Sequence, residues 1–543
     1  MSQRNRAALL VFILTTSFYI VTLSPSLAWG DGVKLQSEVI SGESFLLTEM
    51  NQSEFTPDPF PYSKVGVTAW DHPLYTIGGN ILIRSFPSID SLWLVNMISA
   101  LFGAASTVMV FLLAFRYTAS IPASAYAAFS LAVSHTFWWH SSTPEVYSLL
   151  VFLLLTSIYF LQRHEDSPKT STLSLSAFFF GLAASNHLLA FLALPALVLY
   201  FWFSNRFENF HIRELKKLGI SFLAFIAGFS IYLLQLIRMV RGFPLSEIMG
   251  PVIGTTFLGN LGALSPGLLI GSLVKFFGFF MFQFGPLGIF LGGIGLRQGS
   301  KNIAVQKIIS FFVIYTLFGI FYRVSDQFAF FLTSYVFFAL FISIGTSHLL
   351  ATLTLKPRFT LHVCLILTII LTPFLYHYVP HLAQANGIGD AILGVPQVGT
   401  GVRNGLAYYI DPCKRGDTFA YEFGSQTISS LPPNSIVIAE WYTDTDEYFV
   451  LRYFYKVEGD RPDITIEGFP TQAPVSFDPQ LVLDIIKGSI ASRPIYLASL
   501  SDKFYSAATL VEAYCIVPQH NLYRVHQKSD RASSCLGPDS VTP

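Results

Sequence analysis

Apolar runs long enough to cross a bilayer recur from residue 8 to residue 378, and they confine this chain to a small set of folds. A spanning helix needs about 20 mainly apolar residues, because only backbone that satisfies its own hydrogen bonds is stable in hydrocarbon. The runs between polar breaks predict eleven spans, at 8–27, 91–115, 120–139, 146–162, 172–186, 188–204, 218–236, 268–296, 304–322, 327–349 and 359–378. The fifth and sixth are short and meet at Asn186-His187, and the eighth is interrupted by Pro286, so both places are candidates for a broken or re-entrant helix. Composition agrees: 52% of residues are hydrophobic and only 12% charged, against roughly 25% charged in soluble domains. That excludes a soluble enzyme and a disordered chain. The formal net charge of zero leaves no basic surface for a nucleic acid.

The charges are unevenly placed. Residues 380–543 hold 12 basic and 18 acidic side chains, so the chain divides into a transmembrane module, 1–379, and a water-soluble tail, 380–543. Basic residues sit on alternate loops: Arg4 and Arg6, Arg116, Arg163 with Lys169, Arg206 to Lys217, Arg297 with Lys301 and Lys307, and Lys356 with Arg358. The positive-inside rule then places the N-terminus in the cytoplasm. An odd number of spans puts the tail outside, together with a first outer loop at 28–90. Within the tail, short β-type runs such as 435–439 and 494–497 alternate with helical stretches, which predicts a small α/β domain.

The first span is expected to be retained. Ser26-Leu27-Ala28 resembles a signal-peptide cleavage site, but the apolar run before it exceeds the ~7–15 residues of a signal h-region. Of the cysteines, Cys364 falls in a span, and Cys413, Cys515 and Cys535 in the tail admit one disulfide of unspecified pairing. Asn51-Gln52-Ser53 is a glycosylation sequon. No CxxC motif or His/Cys cluster has zinc spacing, so no metal ligands are named, and dependence on a divalent metal is left open.

Ionisable residues are nearly absent from the spans and collect at their outer ends, which argues against an ion-coupled transporter. Eight acidic residues lie in the first outer loop, which opens with Trp29-Gly30-Asp31-Gly32. Asp31 is a candidate proton acceptor held at the interface, its flanking glycines allowing close approach to a ligand. The bland alternative is a helix-terminating Asp in a turn. The loop returns through Trp70-Asp71-His72-Pro73-Leu74-Tyr75, where Pro73 is placed to start a helix. The next outer turn, Thr136 to Tyr147, carries Pro144 and Glu145, with Glu145 expected in the first turn of the following helix as ligand or cap. Asn186-His187 is a polar pair at a depth where unsatisfied groups are costly.

The order of these motifs resembles one family over most of the chain. A glycine-flanked Asp, a His-Pro-Leu-Tyr re-entry, a Thr-Phe-Trp…Glu-Val-Tyr turn, a Gly-Leu…Asn-His pair and a tail with Leu-Pro-Pro…Val-Glu-Gly-Asp-Arg-Pro-Asp-Ile resemble a bacterial membrane-protein family. That family is related to the animal transmembrane O-mannosyltransferase of plexin-type domains and is similar to the C-type (GT-C) glycosyltransferase superfamily. The Asp of the family's first-loop Asp-Ser-Gly-Glu motif matches Asp31, followed here by Gly32, Val33 and Lys34, and its His-Pro-Pro-Gly-Tyr-Pro-Leu element is shortened to His72-Pro73-Leu74-Tyr75.

The resemblance implies a polytopic α-helical membrane enzyme of GT-C-like fold in a bacterial inner membrane, with an extracytoplasmic α/β domain. It would transfer a hexose, expected to be mannose, from a polyprenyl-phosphate sugar to an exported protein or glycan. The lipid-linked sugar is then a co-substrate, and membrane lipid is the other partner. Asp31 is the expected general base for a single inverting displacement. His72, Tyr75, Glu145, Tyr147 and His187 are expected to line the sugar pocket or to orient Asp31, and Asn186 to bind substrate. Arg238, Arg241 and Arg323 are the expected phosphate ligands, since guanidinium matches phosphate in a fork; interfacial snorkelling is their alternative. The rival functions are a lipid or small-molecule transporter or flippase, and an inactive lipid-binding relative. Residues 242–267 are expected to form an outer loop near the lipid groove, and 440–446 a loop that either faces acceptor or sugar or is a solvated surface loop.

Overall fold

The computed structural model describes residues 1–44, 67–204, 212–242, 266–324, 326–388, 405–441, 447–459, 461–470, 479–528, 535–537 and 540. The sequon at 51–53, most of the Gly242–Gly267 segment and residues 442–446 lie outside them. Each of the eleven expected spans has a helical counterpart. They are α1 (Gln3–Thr22), α4 (Ser91–Thr118), α5 (Ile121–Ala132), α7 (Tyr147–Asp166), α8 (Thr170–Asn186), α9 (Ala193–Phe203, entered by a 3-10 turn at Leu188–Leu192), α10 (Ile212–Gly242), α11 (Pro266–Gly299), α12 (Ile303–Phe321), α14 (Leu332–Thr352) and α15 (Leu355–Ala385). Between them lie the shorter α2 (Asp31–Ser41), α3 (Pro73–Ser85), α6 (His135–Ser142) and α13 (Gln327–Phe330).

Among the described residues, seven helices are long and apolar enough to cross a membrane alone, or eight if α6 and α7, bent by 111° at their junction, count as one broken span. The expected span at 120–139 is the main departure. Its helix stops at Ala132, and His135 begins α6. The break is held by polar capping: the Gln283 side chain accepts from the Thr136 N–H and donates to Thr136 Oγ1, both at 2.9 Å. Pro286 interrupts α11 as expected, with non-helical backbone at Gly285. Residues 136–142 are thus a buried helix instead of an exposed turn.

One large apolar core runs through the bundle, from Tyr19 and Val110 to Phe311, Phe331 and Phe341. The peripheral helices α10 and α15 keep apolar side chains such as Phe222, Leu223, Ile366 and Phe374 exposed, as surfaces solvated by lipid do. Where α8 crosses α10, Gly181 and Gly228 face each other, and a Cβ on either would collide with backbone of the partner helix. Small residues at such crossings let backbones approach closely where no hydrophobic effect drives helices together.

Helix α15 runs to Ala385, beyond the expected boundary at 380, because helices outlast the apolar window that reveals them. The tail then forms a five-stranded sheet of order β2-β1-β3-β5-β4. Strand β1 (Ile436–Trp441) pairs parallel with β2 (Thr465–Pro470) and β3 (Ile495–Leu497), and β5 (Leu522–Gln527) pairs antiparallel with β3 and β4 (Tyr514–Gln519). Both faces of β1 are buried, as the apolar run of a central parallel strand requires. Ile436 and Ile438 join one core with Val482 and Leu510. Val437 and Ala439 join the other, which takes in Leu27, Trp29, Val33 and Leu92 of the helical module. Cys515 and Cys535 form the disulfide, and Cys413 stays free.

Candidate functional site

The residues before Asp31 are fixed by buried amides. Asn96 Nδ2 donates to the carbonyls of Ser24 (2.9 Å) and Ser26 (3.1 Å), while Gln36 donates to Asn96 Oδ1 (2.9 Å) and accepts from the Ala28 N–H (2.9 Å). Trp29 packs between Phe419 and Phe423 of the tail, with centroids at 5.4 and 5.5 Å. Gly30 turns the chain with φ 70°, and Asp31 is the first residue of α2. Asp31 therefore starts a helix instead of ending one, and its exposed carboxylate lies at the positive end of the α2 dipole. A Cβ at Gly32 would stand 2.8 Å from Ala28 Cβ and 3.2 Å from Pro144 Cγ. Packing against the Pro144 turn, and no ligand, explains this glycine.

His72 caps α3 from a left-handed conformation, and Pro73 opens the helix as expected. Its Nδ1–H donates to the Asn186 carbonyl at 3.0 Å, and its ring stacks on His187 at 4.8 Å. His187 Nδ1 accepts from the Leu189 N–H at 3.0 Å, which leaves the proton of its neutral ring on Nε2. Burial, assisted by Lys34, lowers the His72 pKa to about 4. The break between α8 and α9 thus holds two stacked imidazoles. Asn186 serves as their scaffold: its Nδ2 donates to the Val146 carbonyl at 2.9 Å.

Glu145 lies just before α7, whose N-cap is Val146, and so falls outside the helix it was expected to join. Its N–H donates to Ser99 Oγ at 2.9 Å, and Ser99 Oγ in turn meets the Tyr75 hydroxyl at 3.1 Å. Tyr75 is only 1% exposed, so it is a core residue that supports Glu145 and is no lining residue. Tyr147 places its ring 5.5 Å from His187 and edge-on to His140 at 5.1 Å.

Two residues outside the expected set join this group. His140 is buried, with its Nδ1 3.7 Å from Glu145 Oε1 and neither ring nitrogen hydrogen-bonded among the described residues. Asp326 is exposed, but the protein around its carboxyl raises its pKa to about 6, with Asp31 and then Glu145 adding to the rise. Asp31, Glu145 and Asp326 all act electrostatically on Tyr147, and Asp31 acts on His72 as well. Three carboxylates, three imidazoles and a phenol therefore share one end of the bundle.

Of the expected phosphate ligands, Arg323 is partly buried, three residues before Asp326. Arg238 and Arg241 are exposed on α10, with Arg238 Nη1 3.3 Å from Gln235 Oε1. The snorkelling alternative suits these two, although α10 reaches the site's loop through Met239, which packs on Ala69. A separate cavity of 540 Å³ lies between Ser26, Ile40 and Asp90 on one side and Tyr421, Tyr453 and Glu458 on the other. None of the three clustered carboxylates lines it.

Fold and site together define a multi-pass integral membrane protein with a polar, carboxylate-rich cluster at one end of its bundle and an α/β domain packed beside it. Residues 71–210 match the family model described as the N-terminal domain of protein O-mannosyl-transferase TMEM260. This stretch carries His72, Glu145, Tyr147 and His187, and over it the expected resemblance holds. The mouse (Mus musculus) protein O-mannosyl-transferase TMEM260 is 25% identical over 232 residues, 41% of this chain. The match spans 29% of that relative's length.

Two crystal structures of ArnT from Cupriavidus metallidurans share the fold. The one bound to undecaprenyl phosphate aligns with TM-score 0.53 and 12% identity, covering 96% of each chain. The apo form aligns with TM-score 0.55 and 13% identity over 100% of each. The architecture is thus GT-C-like, as the motif order implied.

Proposed function

We propose that this protein is a membrane glycosyltransferase that moves a hexose, mannose in the first instance, from a polyprenyl-phosphate sugar to a hydroxyl of an exported protein or glycan. The observation that carries the reading is the convergence of Asp31, Glu145 and Asp326 beside His72, Tyr147 and His187 at the helix ends. The likeness of residues 71–210 to an O-mannosyl-transferase model supports it, as does the fold shared with an undecaprenyl-phosphate-bound protein. The cluster and the tail lie on the extracytoplasmic side in this reading, where a lipid-borne sugar and exported acceptors meet.

The acceptor oxygen attacks the anomeric carbon while the bond from that carbon to the phosphate oxygen breaks, inverting the centre. The lipid phosphate leaves with the bonding pair, and Asp31 takes the acceptor's proton. Because phosphate is already a good leaving group, the other requirement is charge stabilisation, which Arg323 supplies near the cluster. Neutral His72 and His187 offer a flat, hydrogen-bonding wall for the sugar, and Glu145 and Asp326 favour the positive charge that develops on the ring carbon. Purified protein incubated with radiolabelled polyprenyl-phosphate hexoses and envelope extract tests the reading. Label passing from the mannose donor to acceptor is expected, and retention of label on every lipid donor would refute it.

A further inference from the structure

We propose that His377, His381 and Asp411 form a binding site for a divalent transition-metal ion, zinc by its ligand chemistry, which ties the end of α15 to the segment leading into the sheet domain. His377 and His381 stand four residues apart on one face of α15, with ring centroids 5.2 Å apart. Asp411 follows the short helix α16 (Gly405–Ile410), and its carboxylate reaches both rings. Its Oδ2 is 2.7 Å from His377 Nδ1 and 3.5 Å from His381 Nε2, and all three donor atoms lie within 4.8 Å of one another. Zinc bonded to nitrogen or oxygen at about 2.0–2.1 Å in a tetrahedron separates its ligand atoms by about 3.3 Å. The 3.5 Å pair fits that spacing, and the 2.7 Å pair needs to open modestly.

The surroundings suit a cation. The Asp411 side chain is 8% exposed, and its second oxygen accepts from the Cys413 N–H at 2.9 Å, which orients the carboxylate as outer-shell partners do at metal sites. Both imidazoles are about half exposed, at 48% and 49%, so an ion has a route in and room for water as a further ligand. Lys414, three residues beyond Asp411, gives its ammonium to the carbonyls of Tyr408 and Asp411 and to the faces of Trp139 and Tyr408. Two imidazoles with one carboxylate favour zinc over magnesium or calcium, which prefer all-oxygen shells. The sequence showed no zinc spacing because the third ligand lies 30 residues beyond the second in the chain.

The segment around Asp411 already docks on the helical module. His135 Nε2–H donates to the Tyr409 carbonyl at 2.6 Å, and the Lys414 N–H donates to the Thr22 carbonyl at 3.0 Å. An ion here would therefore fix the junction between membrane body and sheet domain.

The test uses full-length, untagged protein in lipid nanodiscs, stripped with a chelator and titrated with zinc against a fluorescent zinc indicator. One zinc per chain is expected, undisplaced by excess magnesium. Affinity should fall more than about tenfold in His377→Ala and in His381→Ala, a loss that outer-shell changes alone can produce. The His381→Ala variant keeps the His377–Asp411 hydrogen bond, so its folding controls for misfolding. Zinc should also raise the melting temperature of wild type and leave that of His381→Ala unchanged. Equal binding by wild type and His381→Ala, or displacement by magnesium, would overturn the proposal. None of these readouts depends on transferase activity.

Discussion

The proton affinity of a carboxylate is set by its neighbours, and in the cluster at the helix ends Asp326 shows the effect. Asp31 is exposed at a helix N-terminus, whereas Asp326 is held at about 6. The sign follows directly: above pH 6 Asp326 is ionised and adds negative charge to the cluster, which favours the positive charge that develops on the sugar. Transfer should therefore rise as pH passes through about 6, and Asp326→Asn should flatten that step while a profile recorded on wild type keeps it. Identical profiles would remove Asp326 from the site. His72, at about 4, remains neutral throughout.

Much of this group was legible in the sequence because Asp31, His72, Glu145, Tyr147 and His187 are the polar residues that end apolar runs. His140 stood in the same turn as Glu145 and Tyr147, and Asp326 in the polar break at 322–326, but nothing local distinguishes them from capping residues. Their membership comes from contacts between turns far apart in the chain, which bring Asp326 to Asp31 and His140 to Glu145. Tyr75 failed the opposite way: its sequence neighbours suggested a ligand, while its hydroxyl is consumed by Val95 and Ser99.

At the scale of elements, helices α8 and α10 approach closely at Gly181 and Gly228, and that contact positions Asn186 and His187 at the end of α8. Replacing Gly228 with Leu puts a branched side chain against the backbone of Phe178. Overpacking of this kind costs about 1–3 kcal/mol. A lower melting temperature in detergent is expected, and an unchanged one would show that the helices have room to part. Existence and order of the helices followed from hydropathy, since each apolar run has to be helical in hydrocarbon. The halt at Ala132 and the bend into α6 did not, because they depend on Gln283 reaching across to Thr136.

For the whole molecule, the tail is built into the site's support. Trp29 lies in one core with Phe423, Val437 and Tyr448, one residue from the glycine that precedes Asp31. The sheet domain and Asp31 must consequently share a side of the membrane, the exterior in the proposed function. Ala513 is exposed on the sheet domain. In permeabilised-envelope cells, Ala513→Cys should react with a membrane-impermeant maleimide from outside. Labelling only after lysis would invert the topology and move the cluster to the cytoplasmic face.

The central claim is that Asp31 serves as the base of a lipid-dependent sugar transfer, and comparing wild type with Asp31→Asn under single-turnover conditions tests it most directly. Transfer from polyprenyl-phosphate hexose should fall by about 10²- to 10⁴-fold, the usual worth of a positioned base. Binding of the donor lipid, measured in parallel, should be unchanged. Equal transfer rates in the two proteins would contradict the account.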